Sequence, residues 1–327
     1  MKKVLIFTNG EPIGEGIIKL PLVCQLKERF PNHEIHWMTD RIECVYNTRL
    51  KKYTDKFIDV VWEKSELSPF FWQKISKVYD LNNESFDVVI DTQKAVPRTI
   101  ALKRIKSKTF ISSAANWIFS DLKPKKIKKV PQFYVKNILE MLDLVSDYKK
   151  NFSFQIQIPK EIDDQLSHVF EKGKKYLGIA PGSNTPKRIW NIEKYIEVAK
   201  YFEDRQVHPV FFLGPIERDL RQMIVNSLKQ PIFPEEKVKN FSSLETVIAS
   251  TKFLDCAIAN DSGVSQMLST NLCSLIKICG PTSAVKFIND DYSKIDFISS
   301  HSFGGENVNL IPIEAVINKI EQVLHCN

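Results

Sequence analysis

No C-x-x-C pair occurs among the six cysteines of this chain, which stand at 24, 44, 256, 273, 279 and 326. A zinc ribbon or a disulfide framework is therefore not expected. Several lie inside apolar runs (Leu272-Cys273-Ser274-Leu275; Ile278-Cys279), where cysteine acts as a small buried hydrophobe. No stretch reaches the ~20 unbroken apolar residues of a membrane span. The start, Met1 to Phe7, is basic then apolar, but it meets Thr8-Asn9-Gly10-Glu11 too early for a signal peptide and reads as a first strand. A cytoplasmic protein is expected. The G-x-G-x-x-G fingerprint is absent, which argues against a dinucleotide enzyme. G-x-S-x-G is absent too, and the histidines lie away from the candidate loops, so a serine hydrolase is a poor fit. No D-x-D stands at a strand end and no His/Cys cluster is visible, so no metal site is expected. Asp163-Asp164 and Asp290-Asp291 read as solvated surface pairs.

What is present is ordinary globular composition over 327 residues, 43% apolar and 26% charged, enough for two domains. The net charge of +7 is uneven. Residues 1–150 carry 27 Lys and Arg against 18 Asp and Glu, and residues 151–327 carry 19 against 21. Within 101–130 there are nine bases and one acid. Such a run is commonly a solubilising face; the alternative is contact with something anionic, such as phosphorylated lipid, a membrane surface or nucleic acid.

Strand and helix patterns alternate. Strands are predicted at 4–7, 34–38, 57–62, 86–91 and 109–111, with helices over 17–30 and 132–145. After a proline-containing basic segment, Asn151–Pro159 alternates and marks a junction near 150–165. The rhythm then restarts. Strands are predicted at 176–180, 210–214, 256–259 and 274–278, and helices at 192–205, 217–228, 244–252 (capped by Ser242 or Ser243) and 313–324. Alternation of this kind implies parallel sheets with right-handed crossovers. The expected architecture is two similar open α/β domains, 1–155 and 156–327, facing across a cleft, with ligands at the carboxyl ends of the strands.

Four post-strand segments could carry chemistry. Asn9–Gly16 holds three glycines and two carboxylates, Glu11 and Glu15. A carboxylate there can serve as general base toward a hydroxyl, or be a solvated residue favoured by a helix N-terminus. Ala180–Trp190 offers small polar residues with Lys187 and Arg188, suited to a departing diphosphate; an ordinary capped loop would look the same. Ala259–Gln266 could bind an anion at a helix start or be a plain Ser/Asp cap. Cys279-Gly280-Pro281-Thr282 is a further post-strand turn. Three such loops in one half point to a nucleotide-diphosphate site.

Taken in order, these pieces resemble glycosyltransferase family nine, the ADP-heptose heptosyltransferases of lipopolysaccharide core synthesis. The resemblance rests on Ile13–Leu22, on Phe86–Gln93, on Pro181-Gly182-Ser183 with Lys187–Trp190, on Phe212–Pro215 with Glu217, on Asn260–Gly263 and on Gly280-Pro281-Thr282. It implies a GT-B fold and inverting, metal-independent transfer with no cofactor. It also implies a nucleotide-sugar donor, ADP-heptose, on the C-terminal domain, and a last helix (313–325) that packs back on the N-terminal domain. By position, Glu15 takes the base role, where the family usually has Asp, and Arg188 the place of a lysine on the donor phosphates, with Lys187 beside it. Ser183 and Asn184 would face phosphate and Glu217 the ribose. Asp261, Ser262 and Gly263 would hold the diphosphate and sugar end. Gln266 stands where histidine is common. The implied acceptor is an anionic glycolipid. The lysines 123, 125, 126, 128 and 129 would form an acceptor or membrane face on the inner leaflet. Alternatives keep the fold but use another nucleotide-sugar for capsule, O-chain or protein glycosylation, or make the chain a non-catalytic nucleotide-sugar-binding protein. Nucleic-acid binding is discounted because no aromatic-interleaved motif accompanies the lysines.

Overall fold

The computed structural model describes residues 2–127, 134–148, 156–270, 273–280 and 295–326. Lys128, Lys129, Pro281, Thr282, Asp290, Asp291 and the first half of the Asn151–Pro159 segment lie outside these residues. The chain divides into two compact units, Met1–Phe154 and Gln155–Asn327.

The N-terminal unit runs β1 (Lys2–Thr8), α1 (Ile13–Arg29), β2 (His33–Thr39), α2 (Lys51–Thr54), β3 (Val60–Trp62), β4 (Ser85–Asp91), α3 (Val96–Lys103), β5 (Lys106–Ser112) and α4 (Tyr134–Asp143). Its strands form one sheet in the order β3-β2-β1-β4-β5, all pairs parallel. Val4, Leu5, Ile6 and Phe7 are all fully buried. A continuous apolar run of that kind is what a strand covered on both faces requires. The chain winds outward from β1 in both directions, so the strand order reverses between β1 and β4. The crevice beyond the carboxyl ends of those two strands is where such sheets bind ligands.

The C-terminal unit runs α5 (Lys160–Ser167), β6 (Lys175–Ala180), α6 (Ile192–Glu203), β7 (Val207–Phe211), α7 (Leu220–Ser227), α8 (Pro234–Lys237), α9 (Ser243–Ser250), β8 (Cys256–Asn260), α10 (Gly263–Leu268), β9 (Ser274–Cys279), β10 (Ile295–Ser299) and α11 (Ile313–Cys326). The sheet order is β10-β9-β8-β6-β7, again all parallel. Here the order reverses between β6 and β8, whose ends meet in register at Ala180 and Ala259. Tyr195, Val198, Ala199 and Phe202 recur at helical spacing on α6 and enter a core with Ile179, Phe211 and Ile258. Ser242 caps α9 through a reciprocal pair: Glu245 N donates to Ser242 Oγ at 3.3 Å, and Ser242 N donates to Glu245 Oε2 at 2.9 Å.

The structure departs from the sequence reading in places that bear on function. α1 starts at Ile13, so Gly14, Glu15 and Gly16 are helical rather than part of the loop. β7 ends at Phe211 and α7 begins at Leu220, which leaves Glu217 in the turn between them. α3, α5 and β10 fall outside the elements that the pattern predicts; β10 (IDFIS) is a short, half-exposed edge strand. The family resemblance implies a last helix packed on the N-terminal unit. Within the C-terminal unit, Val316, Ile320 and Leu324 of that helix are buried in the core, and α11 packs on α6, β8 and β9.

Candidate functional site

In the C-terminal unit the loops after β6 and β8 are tied together by Asn260. Its side chain, fully buried, accepts from Trp190 N at 3.1 Å and from Tyr195 Oη at 3.1 Å, and its amide donates to the Pro181 carbonyl. Trp190, itself fully buried, donates from its indole to Ile311 O at 3.0 Å. The segment between Pro181 and Trp190 is thus pinned at both ends, and it presents Ser183, Asn184, Lys187 and Arg188 along its length. Lys187 and Asn184 are exposed and Arg188 half-buried. Ser183 is buried, and its hydroxyl accepts from Thr185 N at 3.3 Å.

Arg188 reaches the end of β8, where its guanidinium lies 3.5 Å from the Asp261 carboxylate. This is one of the links that the spacing alone left open. Glu217 is placed by two glycines. A Cβ at Gly182 would fall 2.4 Å from the Glu217 carboxylate, and a Cβ at Gly214 would fall 2.5 Å from it. A Cβ at either glycine would make the end of the Glu217 side chain shift, so the loops after β6 and β7 border this carboxylate on two sides.

Ser262 is committed to structure. Its Oγ accepts from Ser265 N at 3.4 Å, and Ser262 N donates to Ser265 Oγ at 3.2 Å, which makes it the N-cap of α10. Gly263 opens that helix, only six residues long. Gln266 is buried on it at 4% exposure.

Sequence reasoning missed Lys277. It sits on β9 in register with Ala259 of β8 and Phe297 of β10. It is 1% exposed, and its ammonium has no hydrogen-bond partner among the described residues. Burial lowers its pKa, against the pull of Asp261 and Cys279. Burial likewise pushes the neighbouring Cys279 thiol up to about 12, reinforced by Asp261. A lysine inside an apolar strand pattern was the available signal. Arg188, Asp261, Lys277 and Cys279 thus form one electrostatic group at the ends of β8 and β9.

In the N-terminal unit, the two carboxylates after β1 part company. Glu11 is sealed: Lys19 Nζ lies 2.9 Å from its Oε1, with side chains 3% (Lys19) and 0% (Glu11) exposed. Glu15 is half-buried on the first turn of α1. At the end of β4, buried Asp91 accepts from Thr99 Oγ1 at 2.6 Å, Ser112 Oγ at 2.8 Å and Gln93 N at 3.0 Å. Burial raises its pKa and these donors oppose the rise. Beyond β5, a cavity of ≈ 250 Å³ is lined by Lys94, Asn116, Trp117, Asn137 and Glu140 among others. Ala115, Asn116 and Trp117 are successive left-handed residues, with φ of 47°, 57° and 68°. Such strain persists only where surrounding packing enforces it, and it clusters at binding sites. Of the basic run, Lys123, Lys125 and Lys126 are exposed. Among the described residues, no group of three or more metal-ligating side chains gathers, and no helix is long and apolar enough to cross a membrane.

Two parallel, doubly wound α/β units, the second with its loops converging at the switch point, define the GT-B class. The family model of glycosyltransferase family 9 (heptosyltransferase) matches residues 76–291. The chain belongs to that family. A lipooligosaccharide heptosyltransferase 2 of Campylobacter jejuni is 26% identical over 152 residues, covering 46% of this chain and 45% of the relative; the match thus spans about half the length of that curated relative. Among solved structures, a glycosyl transferase family 9 protein of Veillonella parvula superposes with a TM-score of 0.68 at 18% identity, over 100% of this chain and 98% of that one. The E. coli heptosyltransferase WaaC with ADP gives 0.64 at 17% identity, over 98% and 97%. At these identities the structures speak for the fold.

Proposed function

We propose that the protein is an inverting, metal-independent glycosyltransferase that moves heptose from ADP-heptose to the core of a lipopolysaccharide or lipooligosaccharide. The observation that carries this reading is the approach of Arg188 to Asp261 at the switch point of the C-terminal sheet, on a post-β6 loop that Asn260 pins and whose Gly182 borders Glu217. Family membership and the names of the relatives support it. Arg188, with Lys187 beside it, meets the diphosphate. Glu217 lies on the neighbouring loop, as a ribose-binding carboxylate requires. In the transfer step an acceptor hydroxyl forms a bond to the anomeric carbon while the bond to the diphosphate breaks. The electron pair leaves with ADP and is stabilised by the two cations, and Glu15 takes the hydroxyl proton. The cavity beside Trp117 and Asn137 suits one sugar of an anionic acceptor, with Lys94 as counter-charge. Lys123, Lys125 and Lys126 suit the anionic inner leaflet.

Calorimetry with ADP, GDP and UDP tests the reading. Tight binding of ADP alone, weakened at least tenfold by Arg188→Ala, is the expected result. Preference for another base would transfer the same chemistry to a different nucleotide-sugar, a reading that Gln266 in place of histidine keeps in view. No nucleotide binding at all would sink the transferase assignment.

A further inference from the structure

Phe70, Phe71 and Trp72 are consecutive and stand in solvent, at 48%, 84% and 67% exposure. Their rings form one cluster. Phe70 stacks on Trp72 with centroids 4.9 Å apart, and Phe71 meets Trp72 edge-on at 4.9 Å. The loop that carries them is held at its foot. Leu67 and Ile75 are buried in the N-terminal core, and Leu67 pairs with Ser76 in an antiparallel bridge. Ser68 N donates to Ile75 O at 2.9 Å and Gln73 N to Phe70 O at 3.1 Å. From the end of α3, the Arg104 guanidinium donates to the carbonyls of Ser68 at 2.8 Å, Phe70 at 2.7 Å and Gln73. A charged side chain is thus spent on fixing a turn whose tip is wholly apolar. Exposed apolar clusters of this kind mark interaction surfaces.

We propose that the Phe70–Trp72 loop is a membrane anchor that inserts its three rings into the interface of an anionic bilayer. Trp and Phe at the tip suit the headgroup boundary, where aromatic rings partition. Lys74 is exposed just behind the tip, Lys77 beside it pairs with Glu66 at 3.8 Å, and the unit around the loop is basic overall, as an anionic surface requires. The anchor extends the membrane part of the proposed function and stands independently of the transfer chemistry. It lies apart in sequence from the lysines at 123–126.

The test is co-sedimentation of the full chain with phosphatidylcholine vesicles, with and without phosphatidylglycerol, alongside ADP titration. Wild type should bind the anionic vesicles and bind neutral ones more weakly. Phe71→Ser with Trp72→Ser should lower partitioning about 100-fold, roughly tenfold per ring, with ADP affinity unchanged. Brominated lipid should quench wild-type tryptophan fluorescence, and Trp72→Phe should lose that quenching. Equal partitioning of wild type and the double variant, or equal binding to neutral and anionic vesicles, overturns the anchor. So does a wild-type dimer that dissociates in the double variant, which would make the cluster a contact between copies. Loss of ADP binding by wild type would count against the transferase reading and leave the anchor standing.

Discussion

Lys19 donates to Glu11 Oε1 at 2.9 Å inside the N-terminal unit, with both side chains sealed from solvent. The pair spans one face of α1 and the turn before it. It commits Glu11 to structure and leaves Glu15 as the carboxylate of this segment that a substrate can approach. Lys19→Met would strand a buried carboxylate, and removing one partner of such a pair costs about 3–5 kcal/mol. Urea unfolding should show that loss, and Glu11→Gln combined with Lys19→Met should restore most of it. A single variant as stable as wild type would mean that the pair opens to water.

Glu15 carries the base assignment. Glu15→Gln should lower kcat about 100- to 10,000-fold, while ADP affinity stays at the wild-type value. Glu15→Asp, which shortens the carboxylate by one methylene and keeps its acidity, should retain measurable turnover. Full activity in Glu15→Gln would remove this residue from the mechanism.

The setting of Glu217 predicts coupling between residues far apart in sequence. Gly182→Ala and Gly214→Ala each place a methyl within 2.5 Å of that carboxylate. Each should displace that carboxylate and weaken ADP binding, by no more than Glu217→Ala does. In a background that already carries Glu217→Ala, either glycine substitution should cost little more, since contacting residues are not additive. Additive losses in calorimetry would show that the glycines act elsewhere.

Lys277 gives a pH signature. Burial lowers its pKa from the ordinary value of 10.5. Between the lowered value and 10.5, the unfolded chain binds a proton that the native protein does not. Stability therefore rises with pH across that window, and below it the buried charge is a standing cost. Lys277→Met should abolish this rise and stabilise the protein at neutral pH by about 1–4 kcal/mol. Chemical denaturation from pH 7 to 10 would check both, and an unchanged slope in the variant would place the titration in another group.

Much of the fold was legible because burial on both faces leaves a mark in the chain. The run Val4–Phe7 and the spacing of Tyr195, Val198, Ala199 and Phe202 each report one periodicity, set by local geometry. β10 was hidden because it is only five residues long, and α3 because eight residues hold barely two helical turns in which a 3.6-residue period can show. The loops after β6 and β8 were legible as candidate sites, since small polar residues and bases gathered after a strand are what an anion-binding loop is made of. What each residue in them does was not. Ser262 looks the same in sequence whether it caps a helix or meets a phosphate, and only its bonds to Ser265 show that it caps.

The sequence by itself determined two α/β halves, the strand ends at which chemistry gathers and the family they belong to, because these follow from patterns a few residues long. The tertiary structure decided which of two carboxylates is sealed by Lys19 and that Asn260 locks Trp190 in place. It also placed Glu217 between two glycines, left Lys277 without a hydrogen-bond partner among the described residues and set three aromatic rings in solvent. Each of these depends on residues brought together across long stretches of chain. Their energetics turn on solvent exclusion and close approach, and neither exists until the sheets have formed.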